Sequence, residues 1–500
     1  MFNSIRPIQT EHTPESLVER LRGEPGVVLL RSALHDPAQA RYSFVTARPF
    51  LTFTSSGTRS EIRTASELQV QFGNPWHLLD SLLARYELLE EVDVPFPLGG
   101  CFGYWGYELK DALESCLTRR AVNDLELPDC HLGFHDSLVV FDHALGTAHV
   151  ISTGLRADGS RSEQQAGDQW EWWRQRLASP PPATTLPTPT AIGDLAGTAN
   201  LHSTLSQAGY EAAVVRAQAY IRAGDIYQVN LARRLTVEIQ LDPWRLFQRV
   251  QAVSPAPFAA FLDCGGFQIA SSSPESFLRL SGRHIRTRPI KGTRPRGADP
   301  EQDTRLAYEL QTSSKEQAEL VMITDLLRND LGKVCEFGSV RVPDLFRLER
   351  FSHVQHLVAT VEGQLRPEIT HLTALAACFP GGSITGAPKI RAMQIIDELE
   401  PVTRGPYTGA LGYLGFNRES QLSIVIRTAV STREQVHFHV GAGIVADSDP
   451  DMEYQETTAK ALGLLAALSR TEATREWQAS PRASSARSNR HPPSPGTKLS

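Results

Sequence analysis

The apolar positions of this chain alternate between two periods. Short, almost unbroken apolar runs predict strands at Val27 to Leu30, Tyr42 to Val45, Ser137 to Phe141 and Thr147 to Ile151, the last two forming a hairpin around Gly146. From Trp76 to Leu89, residues Leu78, Leu79, Leu82 and Leu83 return at helical spacing. Gln207 to Ala223 predicts an amphipathic helix that stops at Gly224. Tyr227 to Leu231 predicts a strand, and Phe258 to Leu262 with Phe267 to Ala270 a hairpin around Gly265-Gly266. One long helix is expected from Asp299 through Leu327 and another from Pro388 to Leu399. Strands follow at Gly412 to Phe416, Leu422 to Thr428 and Val436 to Val440, then a last helix from Asp451 to Leu468. The mixture predicts an α+β fold with large, mostly antiparallel sheets flanked by helices.

Composition divides the chain. Ser179-Pro-Pro-Pro-Ala-Thr-Thr-Leu-Pro-Thr-Pro-Thr190 has the make-up of a linker or long surface loop. The expected organisation is an N-terminal region at 1–178, a linker at 179–199, a second region at 200–475 and a Ser/Arg/Pro-rich disordered tail at 476–500. A net charge of −6 does not favour non-specific nucleic-acid binding. No apolar run approaches the ~20 residues of a membrane helix, and the N-terminus lacks a signal layout. Six cysteines are scattered without paired spacing, which argues against zinc or a disulfide framework and fits the cytoplasm.

The chemistry centres on Arg286-Thr-Arg-Pro-Ile-Lys-Gly-Thr-Arg-Pro-Arg-Gly297. Lys291 stands among Arg286, Arg288, Arg294 and Arg296, and a lysine crowded by cations sheds its proton more readily and becomes a nucleophile. Taken alone, the stretch fits a basic surface loop for phosphate or nucleic acid slightly better. Glu316 with Glu319, and Glu453 with Glu456, form two carboxylate pairs at i, i+3 spacing on separate helices. If those helices face each other, four hard oxygen donors converge and suit Mg²⁺. Phe379-Pro-Gly-Gly-Ser-Ile-Thr-Gly-Ala-Pro-Lys-Ile-Arg391 leads glycines into a helix with Pro388 at its first position, an arrangement suited to an anion, with Ser383 and Thr385 adding hydroxyls. Glu275 follows an apolar strand within a Ser-Pro turn, so alone it reads equally as an exposed turn glutamate or as a partly buried carboxyl able to act as a general acid. Arg427 lies in an apolar run, and burying an arginine calls for an anionic partner. Cys101, in Gly99-Gly-Cys-Phe-Gly103, reads as a buried strand cysteine, since no histidine–carboxylate partner segment follows.

Together these segments resemble the chorismate-utilising enzymes. The resemblance rests on Gly224-Asp-Ile-Tyr-Gln-Val-Asn-Leu231, Ser273-Pro-Glu275, Pro289 to Gly297, Glu319 through Asp330, His356-Leu-Val358, the Pro380 to Lys389 loop, Ile426-Arg-Thr428 and Gly441 through Thr457. It implies a two-part fold and Mg²⁺ at Glu316, Glu319, Glu453 and Glu456. It implies Lys291 as covalent nucleophile, Glu275 as acid and an active-site histidine at His356. It implies contacts to chorismate from Gln228, Thr293, Ser383, Tyr407, Arg427, Gly441, Gly443 and Lys460. Members that add water carry a lysine where this chain has Gln228. Anthranilate-forming members carry alanine where this chain has Lys291, so the resemblance points to amination at C4, with anthranilate formation the alternative and a non-catalytic amidotransferase scaffold a remoter one. It further implies a separate glutamine amidotransferase as ammonia source and a tryptophan pocket at Ser32, Arg41, Tyr42, Pro257 and Phe258, with Leu29-Leu-Arg-Ser32 departing from the feedback-inhibited pattern.

Overall fold

Several predicted strands are apolar throughout because both of their faces are covered. Along Ser137–Asp142, Leu138 and Val140 enter one core cluster while Val139 and Phe141 enter another. The computed structural model describes residues 4–32, 41–89, 93–182, 200–350 and 354–469. Most of the predicted linker and all of the predicted tail lie outside the described residues.

Two antiparallel sheets of twelve strands each carry the described chain. They pack face to face: Phe44 of the first meets Tyr413 of the second edge-on, with ring centroids 5.2 Å apart. Both sheets combine strands from the two ends of the chain. In the first, Val28–Arg31 pairs with Phe258–Asp263, and in the second, Gly100–Trp105 pairs with Ala410–Gly415. The helices Pro14–Leu21, Glu163–Ala178, Pro243–Val253 and Pro450–Leu468 cover the outer face of the first sheet. Leu310 and Leu320 bring two more helices onto Leu357 and Ala359 of the second. None of the described helices is long and apolar enough to cross a membrane.

Two predicted elements are each split, and both splits build the site. The helix expected over Asp299 to Leu327 is two helices, Pro300–Thr312 and Ser314–Gly332. Ser313 leaves the helical conformation and accepts a hydrogen bond from Glu316 N at 3.4 Å, so the Thr-Ser-Ser run acts as a cap. The break puts Glu316 and Glu319 in the opening turns of the second helix. The strand expected over Leu422 to Thr428 ends at Ile424, and the next, Thr428–Ser431, belongs to the other sheet. Arg427, at φ 50°, turns the chain between them.

Arg404, 2% exposed, clamps the region beneath this crossover. It pairs with Glu400 at 2.6 Å and donates to Asn230 O at 2.7 Å, Thr408 Oγ1 at 3.1 Å and Ile384 O at 3.2 Å. Arg404→Met should lower unfolding free energy by about 3–5 kcal/mol, because Glu400 is left buried without its cation. Urea unfolding checks this, and adding Glu400→Gln should recover part of the loss.

Candidate active site

Two neighbouring chain segments pass from one sheet to the other side by side. Gln268–Ser273 lies in the first sheet and Ser276–Ser281 in the second, leaving Glu275 at the passage. The second passage is the Arg427 turn. The two are stitched together: Ser272 N donates to Arg427 O at 3.1 Å, Ile424 N to Glu275 O at 3.1 Å, and Ser273 Oγ to Ile424 O at 2.6 Å. A carboxyl and a guanidinium far apart in sequence are thereby held at one cleft.

That cleft is a cavity of about 180 Å³, lined by Glu275, Lys291, Ser383, Tyr407, Arg427, Gly441 and Lys460, with Asn230, His439 and several apolar residues. It holds a small molecule rather than a lone water, whose share of liquid volume is ~30 Å³. Lys291 reaches it from Ile290–Pro295, which pairs with Val354–Gln364. The register slips between Lys291 and Thr293, and Gly292 sits at the slip with φ 71°, a bulge that re-aims the lysine. A Cβ at Gly292 would come within 2.9 Å of Glu316 Oε2, so glycine also lets that glutamate approach.

Of the four arginines expected to crowd Lys291, three are paired with carboxylates. Arg288 pairs with Glu349, Arg294 with Glu316 at 3.4 Å, and Arg296 with Asp303 at 2.7 Å. The ion-pair partner of Lys291 is Glu319, 3.9 Å away. Glu275 is 8% exposed and accepts a 2.6 Å hydrogen bond from Ser383 Oγ. Burial raises its pKa, and the Ser383 bond and the Lys291 charge only partly offset this. Arg427 is not buried as its apolar run suggested: it is exposed to solvent, lines the cavity without a side-chain hydrogen bond or ion pair to any described residue, and desolvation by the surrounding protein lowers its pKa. A free guanidinium in a concave site is a receptor for carboxylate. Lys460 bonds Gly441 O at 2.9 Å and Glu456 at 2.7 Å.

Other candidates stand behind the lining. His356 is 3% exposed and bonds Thr293 Oγ1 through Nδ1 at 2.9 Å; burial and then Arg427 depress its pKa to about 4, so it is neutral. It braces the strand of Lys291. Gln228 is buried, and a Cβ at Gly443 would collide with its amide nitrogen. The hydroxyls of the glycine-rich loop have partners within the protein. Ser383 is engaged by Glu275, Thr385 bonds Gly381 O at 2.9 Å, and Cβ atoms at Gly381 and Gly382 would strike Ile424 and Leu326. Close packing accounts for those glycines, and Pro388 is the N-cap rather than the first helical residue. Cys101 is fully buried, and burial raises its thiol pKa.

The glutamates flank the cavity without closing into a metal cluster: among the described residues no three His, Cys, Asp or Glu side chains converge. Glu316 meets Arg294, Glu319 meets Lys291, Glu456 meets Lys460, and Glu453 accepts 2.6 Å from Ser448 Oγ. Burial raises the Glu453 pKa, Ser448 opposes this, and Glu456 adds to it; Lys315 of the other acidic helix also acts on Glu453. Of the five tryptophan-pocket positions, Ser32, Tyr42, Pro257 and Phe258 line one cavity of about 40 Å³. Arg41 is not in that lining and is bound to Asp142 at 2.6 Å. Asn230 lies in the Gly224 to Leu231 segment of the resemblance but was not singled out, and His439 carried no sequence signal beyond its place in a strand; they lie on Gln228–Glu238 and Gln435–Ile444, whose inward faces they share.

The family model for chorismate binding enzymes matches residues 35–466. This chain belongs to that family. It is 40% identical to anthranilate synthase component 1 of Thermus thermophilus over 467 residues, 92% of this chain and 96% of the relative. It is 38% identical to aminodeoxychorismate synthase component 1 of Escherichia coli, covering 89% of this chain and 93% of that one. The crystal structure of anthranilate synthase component I from Streptococcus pneumoniae superposes with a TM-score of 0.75 at 31% identity, over 85% of this chain and 92% of that one. The α+β fold and the chorismate-utilising class therefore both hold for this chain, an enzyme of the anthranilate synthase and aminodeoxychorismate synthase family.

Proposed function

We propose that this chain is the chorismate-aminating component of an aminodeoxychorismate synthase, replacing the C4 hydroxyl of chorismate with an amine. The observation that carries the reading is Lys291, an amine lining the same cavity as the raised-pKa carboxyl of Glu275. In this mechanism the Lys291 amine bonds to C2, both double bonds of the ring diene shift toward C4, and the C4–O bond breaks as Glu275 delivers its proton, releasing water. Ammonia then bonds to C4, both double bonds shift back, and the C2–N bond to Lys291 breaks. Arg427, Lys460 and the Tyr407 hydroxyl hold the substrate carboxylates, and neutral His356 braces the Lys291 strand. The nitrogen would come from a separate glutamine amidotransferase, in keeping with the component 1 names of the relatives. The product would serve 4-aminobenzoate and folate synthesis.

Glu316, Glu319, Glu453 and Glu456 fit Mg²⁺ in kind: they are hard oxygen donors, and the mutual repulsion of Glu453 and Glu456 is of the sort a cation relieves. The ion would neutralise a substrate carboxylate. EDTA should abolish turnover and Mg²⁺ restore it, while Glu319→Gln should raise the Mg²⁺ requirement by about tenfold or more.

The decisive experiment supplies chorismate, Mg²⁺ and ammonium and weighs the products by mass spectrometry. A product with hydroxyl replaced by amine and the pyruvyl group kept supports the reading. Anthranilate would instead favour the second reading, which rests on a relative of that name at 40% identity against 38% for the aminodeoxychorismate synthase relative.

A further inference from the structure

The substrate cavity has a smaller neighbour. Beyond the stacked rings of Tyr407 and His439, with centroids 5.0 Å apart and planes 13° apart, lies a second space; both residues line both cavities. It measures about 20 Å³, against about 180 Å³ for the first. Roughly 10–15 Å³ is needed to hold one water, so it admits a molecule of that size and excludes any ring. It extends to Asn123, Leu125 and Leu127, on a segment where Asn123 is exposed.

Its walls favour a neutral guest. Leu125, Leu127, Pro406, Val430 and Phe438 are apolar, and no carboxylate lines the space among the described residues. An ammonium ion would lose hydration there and find no counter-charge. Arg404, also in the wall, is paired with Glu400 and offers a cation no counter-charge. At the inner end, His439 is 9% exposed and its Nε2 has no hydrogen-bond partner. Its other nitrogen is the one that serves the Thr403 carbonyl, so Nε2 presents a lone pair to an incoming N–H. Burial and the nearby Arg234 and Arg404 charges keep the ring neutral.

We infer that this smaller space is the entrance through which the nitrogen nucleophile, as neutral ammonia, reaches the substrate cavity, with Tyr407 and His439 as its inner threshold. The inference rests on the aminating reading above. Ammonium leaves its proton in solvent, and ammonia passes the stacked rings to the cavity lined by Lys291.

The test is steady-state kinetics with chorismate and ammonium chloride at one fixed pH. Leu127 lies over Gly405, its Cδ1 3.8 Å from where a Cβ there would stand, so a larger side chain fills the space. Leu127→Trp and, as an independent plug, Leu125→Trp should each raise the KM for ammonium about tenfold or more, with kcat at saturating ammonium and the KM for chorismate held within about twofold. Leu127→Ala should leave the ammonium KM within about twofold. An unchanged ammonium KM in both tryptophan variants would overturn the entrance. Chorismate turnover by the unsubstituted protein that ignores ammonium would overturn the aminating reading itself.

Discussion

Lys291→Ala is expected to lower amination at C4 by roughly 10³-fold or more, the scale on which an enzyme loses an essential nucleophile. The other lysine of the cavity does not stand in for it, because Lys460 is tied to Gly441 O at 2.9 Å and to Glu456 at 2.7 Å. Lys291→Arg should fail equally, since a guanidinium retains the charge near Glu319 but cannot serve as the attacking amine. Chorismate binding should survive in both variants because Arg427 remains. The residual product should drift toward anthranilate, where nitrogen bonds at C2 and no covalent bond to the enzyme is required. Stability should change little, as the Lys291–Glu319 contact is long at 3.9 Å. Rate and product mass are measured together, and full C4 amination by Lys291→Ala would remove Lys291 from the chemistry.

The sequence disclosed most of the candidate site because its residues fall in short stretches of distinctive composition. Glu275, Lys291, Ser383, Tyr407, Arg427, Gly441 and Lys460, spread over nearly two hundred positions, line one cavity. What local pattern could not disclose was set by tertiary pairing. Arg427 reads as part of an apolar strand, yet the run spans two strands in different sheets, and the polarity of one residue does not announce a crossover. The arginines flanking Lys291 read as a cationic cluster, but their partners Glu349, Glu316 and Asp303 come from elements beyond the stretch. Composition marked the glycines at 381 and 382 as an anion cradle, whereas Ile424 and Leu326 pressing on them explain their size. Ser313 was more accessible to reasoning: a serine run inside a helical pattern is a cap signal, and here helical periodicity continuing on both sides concealed it.

Glu275→Gln should lower turnover by roughly 10²–10⁴-fold, the usual contribution of a positioned acid. Glutamine keeps the shape and can still accept from Ser383, but it has no acidic proton to give the leaving hydroxyl. The pH profile separates this from a packing effect. Burial raises the Glu275 pKa, so the acid form persists to higher pH than in an exposed glutamate, and turnover falls as pH rises through that pKa. Glu275→Gln should lose that alkaline limb. Ser383→Ala should move it to higher pH, because the Ser383 bond favours the ionised form. Stability should move the other way from activity. A raised carboxyl pKa contributes stability below its unfolded value and loses it as pH rises through the folded value. At neutral pH the neutral glutamine should therefore hold the fold at least as well as Glu275 does. An alkaline limb that persists unchanged in Glu275→Gln would assign the proton donor to another group, and a limb that moves to lower pH in Ser383→Ala would mean that Ser383 stabilises the protonated carboxyl.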